Sequence, residues 1–263
     1  MKRSKLKGYL QQGMTNRQIA NLDEVNVTKS TVQYWIDKHN LKDEMEYQKP
    51  SYKDENMFNK ITTKEEAYII GFLSGDGHID KEDTLGCSIA LDDKEILYFF
   101  QEIIGCNVRE DHTFKPEERR FPRARISIGN KNIVTDIKKY WGERKKKGRN
   151  LPIVSPDLRP FLLLGFFDAD GCITWGERKD RNRLWHKISF TSSLSLLEGI
   201  QKILLDYDIA SKLRPKSGED CYILEFSDED RVRKFLNVIY PNDNFIILNR
   251  KYEKAKALRL ELG

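Results

Sequence analysis

Two nine-residue segments constrain this chain more than anything else in it. IIGFLSGDG (Ile69 to Gly77) and LLGFFDADG (Leu163 to Gly171) are near-copies, 94 positions apart (171 − 77). Self-similarity at a fixed spacing marks a duplicated supersecondary unit, and the patterns behind the two copies run in the same order. After Gly77 they predict strands at 78–80 and 85–91, a helix at 94–104, strands at 107–114 and 123–128, and a helix at 131–141. After Gly171 they predict strands at 172–178 and 185–191, a helix at 194–205, strands at 210–214 and 221–226, and helices at 230–240 and 250–260. The helix holding the first copy opens at Thr63, with Glu66 at capping-box spacing. Each half therefore reads αββαββα, and the expected fold class is α+β with two pseudo-symmetric repeats.

Inside the copies, small residues recur at helical spacing: Ala67, Gly71 and Gly75 in the first, Gly165 and Ala169 in the second. Such stripes let two helix backbones approach closely. A glycine inside a helix costs about 1 kcal/mol relative to alanine, so packing of the two helices against each other has to offset it. Gly77 and Gly171 stand where a left-handed helix C-cap is expected. Asp76 and Asp170 then fall in the last helical turn, where the negative end of the macrodipole disfavours a carboxylate by about 0.3 to 1 kcal/mol. Side-by-side helices would also set the two anions against each other. A divalent cation between them would relieve both effects. Oxygen ligation by few protein groups favours Mg²⁺, with Mn²⁺ as the alternative.

Charge segregates along the chain. The net charge is +5, and residues 1–42 alone carry eight basic and three acidic groups, so the rest sums to zero. Within that remainder, residues 109–149 hold fourteen Lys/Arg against six Asp/Glu. Two separate basic regions point to a polyanionic partner touched at two places. The longest apolar run, Phe161 to Phe167, is far too short to span a bilayer, and the basic N-terminus is followed by Gln11, Gln12, Asn16 and Arg17 where a signal peptide needs apolar residues. The expectation is an intracellular protein (cytoplasm, nucleoid or organelle matrix) without membrane association. Cys87, Cys106, Cys172 and Cys221 form no C-x-x-C pair, so neither a disulfide framework nor a zinc site is expected.

The first segment reads as two short helices and a turn. Thr15 and Gln18 have capping-box spacing; Thr28 caps a second helix whose Val32, Trp35 and Ile36 face inward while Lys29, Ser30, Gln33 and Tyr34 face outward. GMTNRQIA followed by VTKSTVQYWI resembles the helix-turn-helix of recombinases and repressors, with a link about two residues longer than usual. That resemblance makes Lys29, Ser30 and Gln33 candidate DNA contacts. The polar, Pro50-containing stretch after it reads as a linker. The expected organisation is a small all-α helix-turn-helix domain over 1–42, a linker over 43–62, a first half over 63–150 and a second over 151–263.

The paired segments resemble the double signature of single-chain LAGLIDADG homing endonucleases, over about 200 residues from Thr63 onward. The resemblance implies a monomer whose two halves form a saddle of antiparallel strands on double-stranded DNA. Its implied chemistry is metal-dependent phosphodiester hydrolysis: Asp76 and Asp170 hold the metal, with Gly75 and Ala169 beside them in the metal site. It also implies a basic catalytic residue from each half, Lys251 in NRKYEKA and Lys145 in GERKKKG, and a polar residue ending the second strand, for which Asp92 and Ser192 are nearest. DNA contacts would come from Arg119, Arg120, Arg123 and Arg125 in the first half, and from Arg178, Lys179, Arg181 and Arg183 on the longer hairpin of the second. Trp141, Trp175 and Trp185 read as packing residues. Two alternatives share the fold: a DNA-binding regulator that does not cut, and a maturase that binds its own intron RNA.

Overall fold

The computed structural model describes residues 1–12, 14, 16–41, 50–141, 149–178, 183–216, 221–240 and 245–261, and the chain divides into two compact units, Met1–Ser51 and Tyr52–Gly263. Thr15, Lys145, Lys179 and Arg181 lie outside the described residues, as do the side chains of Arg178 and Arg183.

The small unit has three helices where the sequence pattern showed two: α1 (Arg3–Gln11), α2 (Asn16–Ala20) and α3 (Lys29–Lys38). The first escaped because its buried face is only Leu6 and Leu10, one i, i+4 step in a run of lysines, too short for a period. Those leucines join Ile19, Ala20, Val32, Ile36 and Leu41 in one core. The Thr28 hydroxyl accepts the Thr31 amide and starts α3, as expected of an N-cap. In the link before it, Val27 N–H reaches back to the Ala20 carbonyl at 3.1 Å, and Asn26 takes a positive φ of 39°.

The large unit is the duplicated one. α4 (Lys64–Asp76) opens with a complete Thr63–Glu66 capping box and runs directly into β1 (Gly77–Ile79); β2 (Leu85–Ala90), α5 (Glu95–Ile104), β3 (Val108–Asp111), β4 (Arg123–Ile128) and α6 (Lys131–Trp141) follow. The second half repeats the series as α7 (Arg159–Asp170), β5 (Gly171–Arg178), β6 (Arg183–Ser192), α8 (Leu194–Leu205), β7 (Lys212–Pro215), β8 (Tyr222–Phe226) and α9 (Glu229–Ile239), and adds α10 (Asn249–Glu261). The strands form two antiparallel sheets of matching order, β1-β2-β4-β3 and β5-β6-β8-β7. Alternation decides their faces: Leu85, Cys87 and Ile89 on β2 and Ala124, Ile126 and Ile128 on β4 point into the core, while Arg123, Arg125 and Ser127 point away from it.

Residues 52–62, read as linker from their polarity, belong to this unit. Met57, Phe58 and Ile61 are buried in its core, Lys53 N–H donates to the Ile104 carbonyl at 3.0 Å, and Tyr140 Oη donates to the Phe58 carbonyl at 2.9 Å. Three apolar residues spaced among charges are enough to dock a segment without secondary structure, a case composition cannot resolve. The second half also reaches across to the first. Phe245, just before α10, packs edge-on against Tyr68, Phe99 and Phe161, and Arg250 clasps Asp93 of the first half at 3.0 and 3.2 Å.

Candidate functional site

The halves meet along α4 and α7, and glycine makes the contact possible. A Cβ on Gly71 would overlap the Leu162 carbonyl oxygen and come within 3.1 Å of the Phe166 amide nitrogen. One on Gly165 would overlap the Tyr68 carbonyl oxygen and come within 2.9 Å of the Phe72 nitrogen. Subtracting 94 from 162 and 166 gives 68 and 72, so the two contacts are exchanged by a pseudo-twofold axis. Further along, the position of a Gly75 Cβ lies 3.1 Å from the Asp170 carboxyl carbon and Oδ2 and against the Ala169 methyl. The Asp170 carboxylate thus rests beside the backbone of residue 75, one residue before Asp76, and both acids are half-buried at abutting helix ends.

Gly77 and Gly171 are not left-handed. Their φ, ψ angles are −75°, 155° and −83°, 153°, extended backbone that any residue adopts. They are glycine for lack of room: a Cβ at 77 would sit 2.5 Å from the Leu73 carbonyl oxygen and 2.8 Å from the Trp141 ring, and one at 171 would sit 2.5 Å from the Phe167 carbonyl oxygen. The chain leaves each helix straight into a strand, which keeps each aspartate at the junction. A left-handed cap does occur in this unit, at Gly105 after α5, with φ 83°.

Two buried cations hold the helix ends. Arg149 Nη1 donates to the carbonyls of Ser74 (3.2 Å) and Gly77 (3.0 Å), and its guanidinium lies 4.1 Å above the Trp141 ring. Lys251 Nζ donates to the carbonyls of Phe167 (2.6 Å) and Asp168 (2.8 Å). Ser74 and Asp168 are equivalent positions of the two copies, so the two cations play matching parts. Burial lowers both pKa values, Arg149 to about 10 and Lys251 to about 8, while Asp170 pulls Arg149 back up and Asp168, Asp76 and Asp170 pull Lys251 back up. Cations at helix C-termini also offset the macrodipole. The anionic charge of the acids is therefore met in part by the protein itself.

Arg149 could not be found by aligning the copies. The position equivalent to Lys251 is 157 (251 − 94), which is Asp157, because Lys251 stands on α10 whereas Arg149 precedes α7. Its only sequence signal was membership of the basic run. Asp168 was also missed, although it is where the copies differ in chemistry, Ser74 against Asp168. Its Oδ2 accepts from Tyr68 Oη on the partner helix at 2.9 Å and from Leu248 N–H at 3.0 Å; burial lifts its carboxyl to about 7, with Lys251 opposing.

No group of three or more His, Cys, Asp or Glu among the described residues could hold a metal. Asp76 and Asp170, at the abutting helix ends, are carboxylates of the kind that hold a hard divalent cation together with water. Asp92 is exposed in the turn after β2, and Ser192 ends β6.

The solvent face of the first sheet carries Arg123 and Arg125, paired across the ladder with Asp111 and Arg109. Arg119 and Arg120 sit in the β3–β4 hairpin. On the second sheet Lys187, Lys212 and Arg214 surround Glu225, which Arg214 grips at 3.0 and 3.3 Å. Sequence reading passed over these three because they are scattered singly among apolar residues. Arg178 and Arg183 are ladder partners on the β5–β6 hairpin. Trp185, expected to pack inside, is 39% exposed, its indole nitrogen near the backbone of Gly176. In the small unit Lys29 and Ser30 are exposed, but Gln33 accepts from Asn16 Nδ2 at 2.8 Å and donates to Asp37 at 3.2 Å.

Residues 160–240 match the family model of the LAGLIDADG-like domain. Among solved structures, the LAGLIDADG meganuclease I-AabMI bound to uncleaved DNA superimposes with a TM-score of 0.53 at 15% identity, over 76% of this chain and 90% of its own. The I-SmaMI homing endonuclease bound to cleaved DNA gives 0.51 at 10% identity, over 77% and 90%. The large unit has the LAGLIDADG homing-endonuclease fold. The I-LtrWI endonuclease bound to target DNA agrees, with a TM-score of 0.50 at 11% identity over 78% and 90%. A search of curated proteins finds no significant match. α7 lies within the matched residues, and α4 carries the other copy of the repeated segment.

Proposed function

We propose that the chain is a divalent-metal-dependent, site-specific double-strand DNA endonuclease acting as a monomer, with the small unit as a helix-turn-helix DNA-binding module. The observation that carries the reading is Asp76 and Asp170 as the last residues of α4 and α7, helices packed so closely that the Asp170 carboxylate lies beside the backbone of residue 75. Asp76 and Asp170 would hold the metal, Mg²⁺ by the hard-oxygen argument, with the backbone at Gly75 and Ala169 beside it. Bound there, a divalent cation supplies an activated water and charge stabilisation for phosphodiester hydrolysis. Arg149 and Lys251 would fix the helix ends and so hold the acids in place; Asp170 acts on both cations, and Asp76 also acts on Lys251. The cationic sheet faces would grip the phosphates, with affinity falling steeply as salt rises. DNA in the structures of I-AabMI and I-SmaMI supports this partner. A cytosolic or organelle-matrix location follows from the substrate, and no helix among the described residues is long and apolar enough to cross a membrane.

The test is cleavage of the chain's own gene-flanking DNA, joined without interruption at the insertion point, and of a randomised target library, in Mg²⁺ or EDTA. Metal-dependent double-strand cutting that Asp76→Asn and Asp170→Asn each abolish is the expected result. Tight, salt-sensitive DNA binding without cutting would replace the reading by the regulator, and preference for the host intron RNA would replace it by the maturase.

A further inference from the structure

We infer that the hairpin joining β3 to β4 is an aromatic wedge that sits against the bases at the outer flank of a DNA duplex, an inference that rests on the DNA-binding reading above. The β3–β4 pairing does not end at Asp111 and Arg123. Lys115 and Arg120 form a further antiparallel bridge, with N–H to O distances of 2.8 and 2.9 Å, closed by a 3₁₀ turn at Pro116–Glu118 and by Arg119 at a φ of 53°. On either side of that bridge stand Phe114 and Phe121, 65% and 54% exposed, their rings in edge contact with centroids 6.0 Å apart. Among the described residues no other phenylalanine is exposed.

Charge says what these rings face. Residues 114–123 carry four cations and two acids. Glu118 pairs with both Lys115 (3.0 Å) and Arg120 (3.2 Å), which gathers the two cations at the turn that carries the rings. A hydrophobic partner would leave those cations desolvated, whereas a nucleic acid offers π-faces to the rings and phosphates to the cations. The hairpin also continues the strand that bears Arg123 and Arg125 on the exposed sheet face. The strand order puts β3 at the edge opposite β1, and β1 leaves directly from α4, so the hairpin lies at the end of the sheet farthest from Asp76. It would meet DNA outside the cut site. In the second half Lys216 N–H donates to the Cys221 carbonyl at 2.9 Å, and the sequence between β7 and β8, KSGEDC, has no aromatic. The wedge would act on one side of the target only.

The test uses the full chain, a fluorescein-labelled 40-base-pair random-sequence duplex, EDTA to prevent cutting, and a salt series. The double variant Phe114→Ala/Phe121→Ala is expected to bind about tenfold more weakly at every salt concentration with an unchanged salt slope, since stacking releases no counterions. Arg123→Ala, by contrast, should make the slope shallower by about one. Phe114→Trp should keep wild-type affinity, and all variants should melt with the wild type because the rings are exposed. Wild-type affinity in the double variant overturns the wedge while leaving DNA binding intact. Wild-type self-association that the double variant loses in sedimentation overturns it in favour of a second copy. No duplex binding by the wild type removes the underlying DNA reading, and the wedge with it.

Discussion

Gly165→Ala asks how closely α4 and α7 approach. In an isolated helix the substitution is favourable by about 1 kcal/mol. Here the new methyl would overlap the Tyr68 carbonyl oxygen and lie 2.9 Å from the Phe72 nitrogen. Non-bonded heavy atoms prefer about 3.5 Å or more, so α7 has to withdraw from α4 by roughly 1 Å. The obstacle is backbone, which cannot rotate aside, so the cost falls at the upper end of the usual 1 to 3 kcal/mol for overpacking, or beyond it. The net expectation is destabilisation by about 2 kcal/mol, or a fall in Tm of roughly 4 to 8 °C for a unit of this size. A 1 Å displacement beside Asp76 and Asp170 should also lower any metal-dependent cleavage by about a hundredfold. Calorimetry of the full chain checks the stability, with Gly8→Ala in α1 as control: nothing lies within 4 Å of a Cβ at Gly8, so there the helix propensity should act alone and stabilise the small unit by about 0.5 to 1 kcal/mol. If Gly165→Ala is neutral or stabilising while Gly8→Ala behaves as stated, the helices are not in contact at this point and the account of the site fails.

Asp168→Asn should change the pH dependence of stability. Burial raises this carboxyl from 3.8 to about 7, so between those values the native state holds a proton that the unfolded state has lost; the stabilising contribution is complete below about pH 4 and disappears as pH rises to about 7. The loss is at most about 4 kcal/mol at 1.36 kcal/mol per unit, and urea unfolding of wild type against variant at pH 4 and 7.5 should differ between the two pH values by at least 1 kcal/mol, an equal difference at both refuting the burial argument. Arg149→Ala strips two buried carbonyls of their donor and should cost about 2 to 4 kcal/mol. Arg149→Lys should fall between, since an ammonium keeps the charge but loses the planar stack on Trp141; a change below 0.5 kcal/mol in the alanine variant would show that Arg149 does not hold α4.

The sequence by itself determined the repeat and the order of the elements in the large unit, and it pointed to two candidate acids. These are local quantities: the Thr63–Glu66 box, the period of α5 and α8, the alternation of β2 and β4, and two copies of one motif 94 residues apart are all read within a window of a few turns. The small-residue stripe also said that two helices touch, because a glycine's cost has to be met somewhere. Only the tertiary structure decided what surrounds the acids. Arg149 and Lys251 reach the equivalent carbonyls of Ser74 and Asp168 from elements with no common alignment position, and the buried Asp168 carboxyl takes its hydrogen bonds from Tyr68 and Leu248, 100 and 80 residues away. Gly77 and Gly171 make the same point. Their presence was legible, but the reason for it was a crowded junction and not a backbone angle. Steric exclusion depends on what the rest of the chain brings near, and no local window contains that.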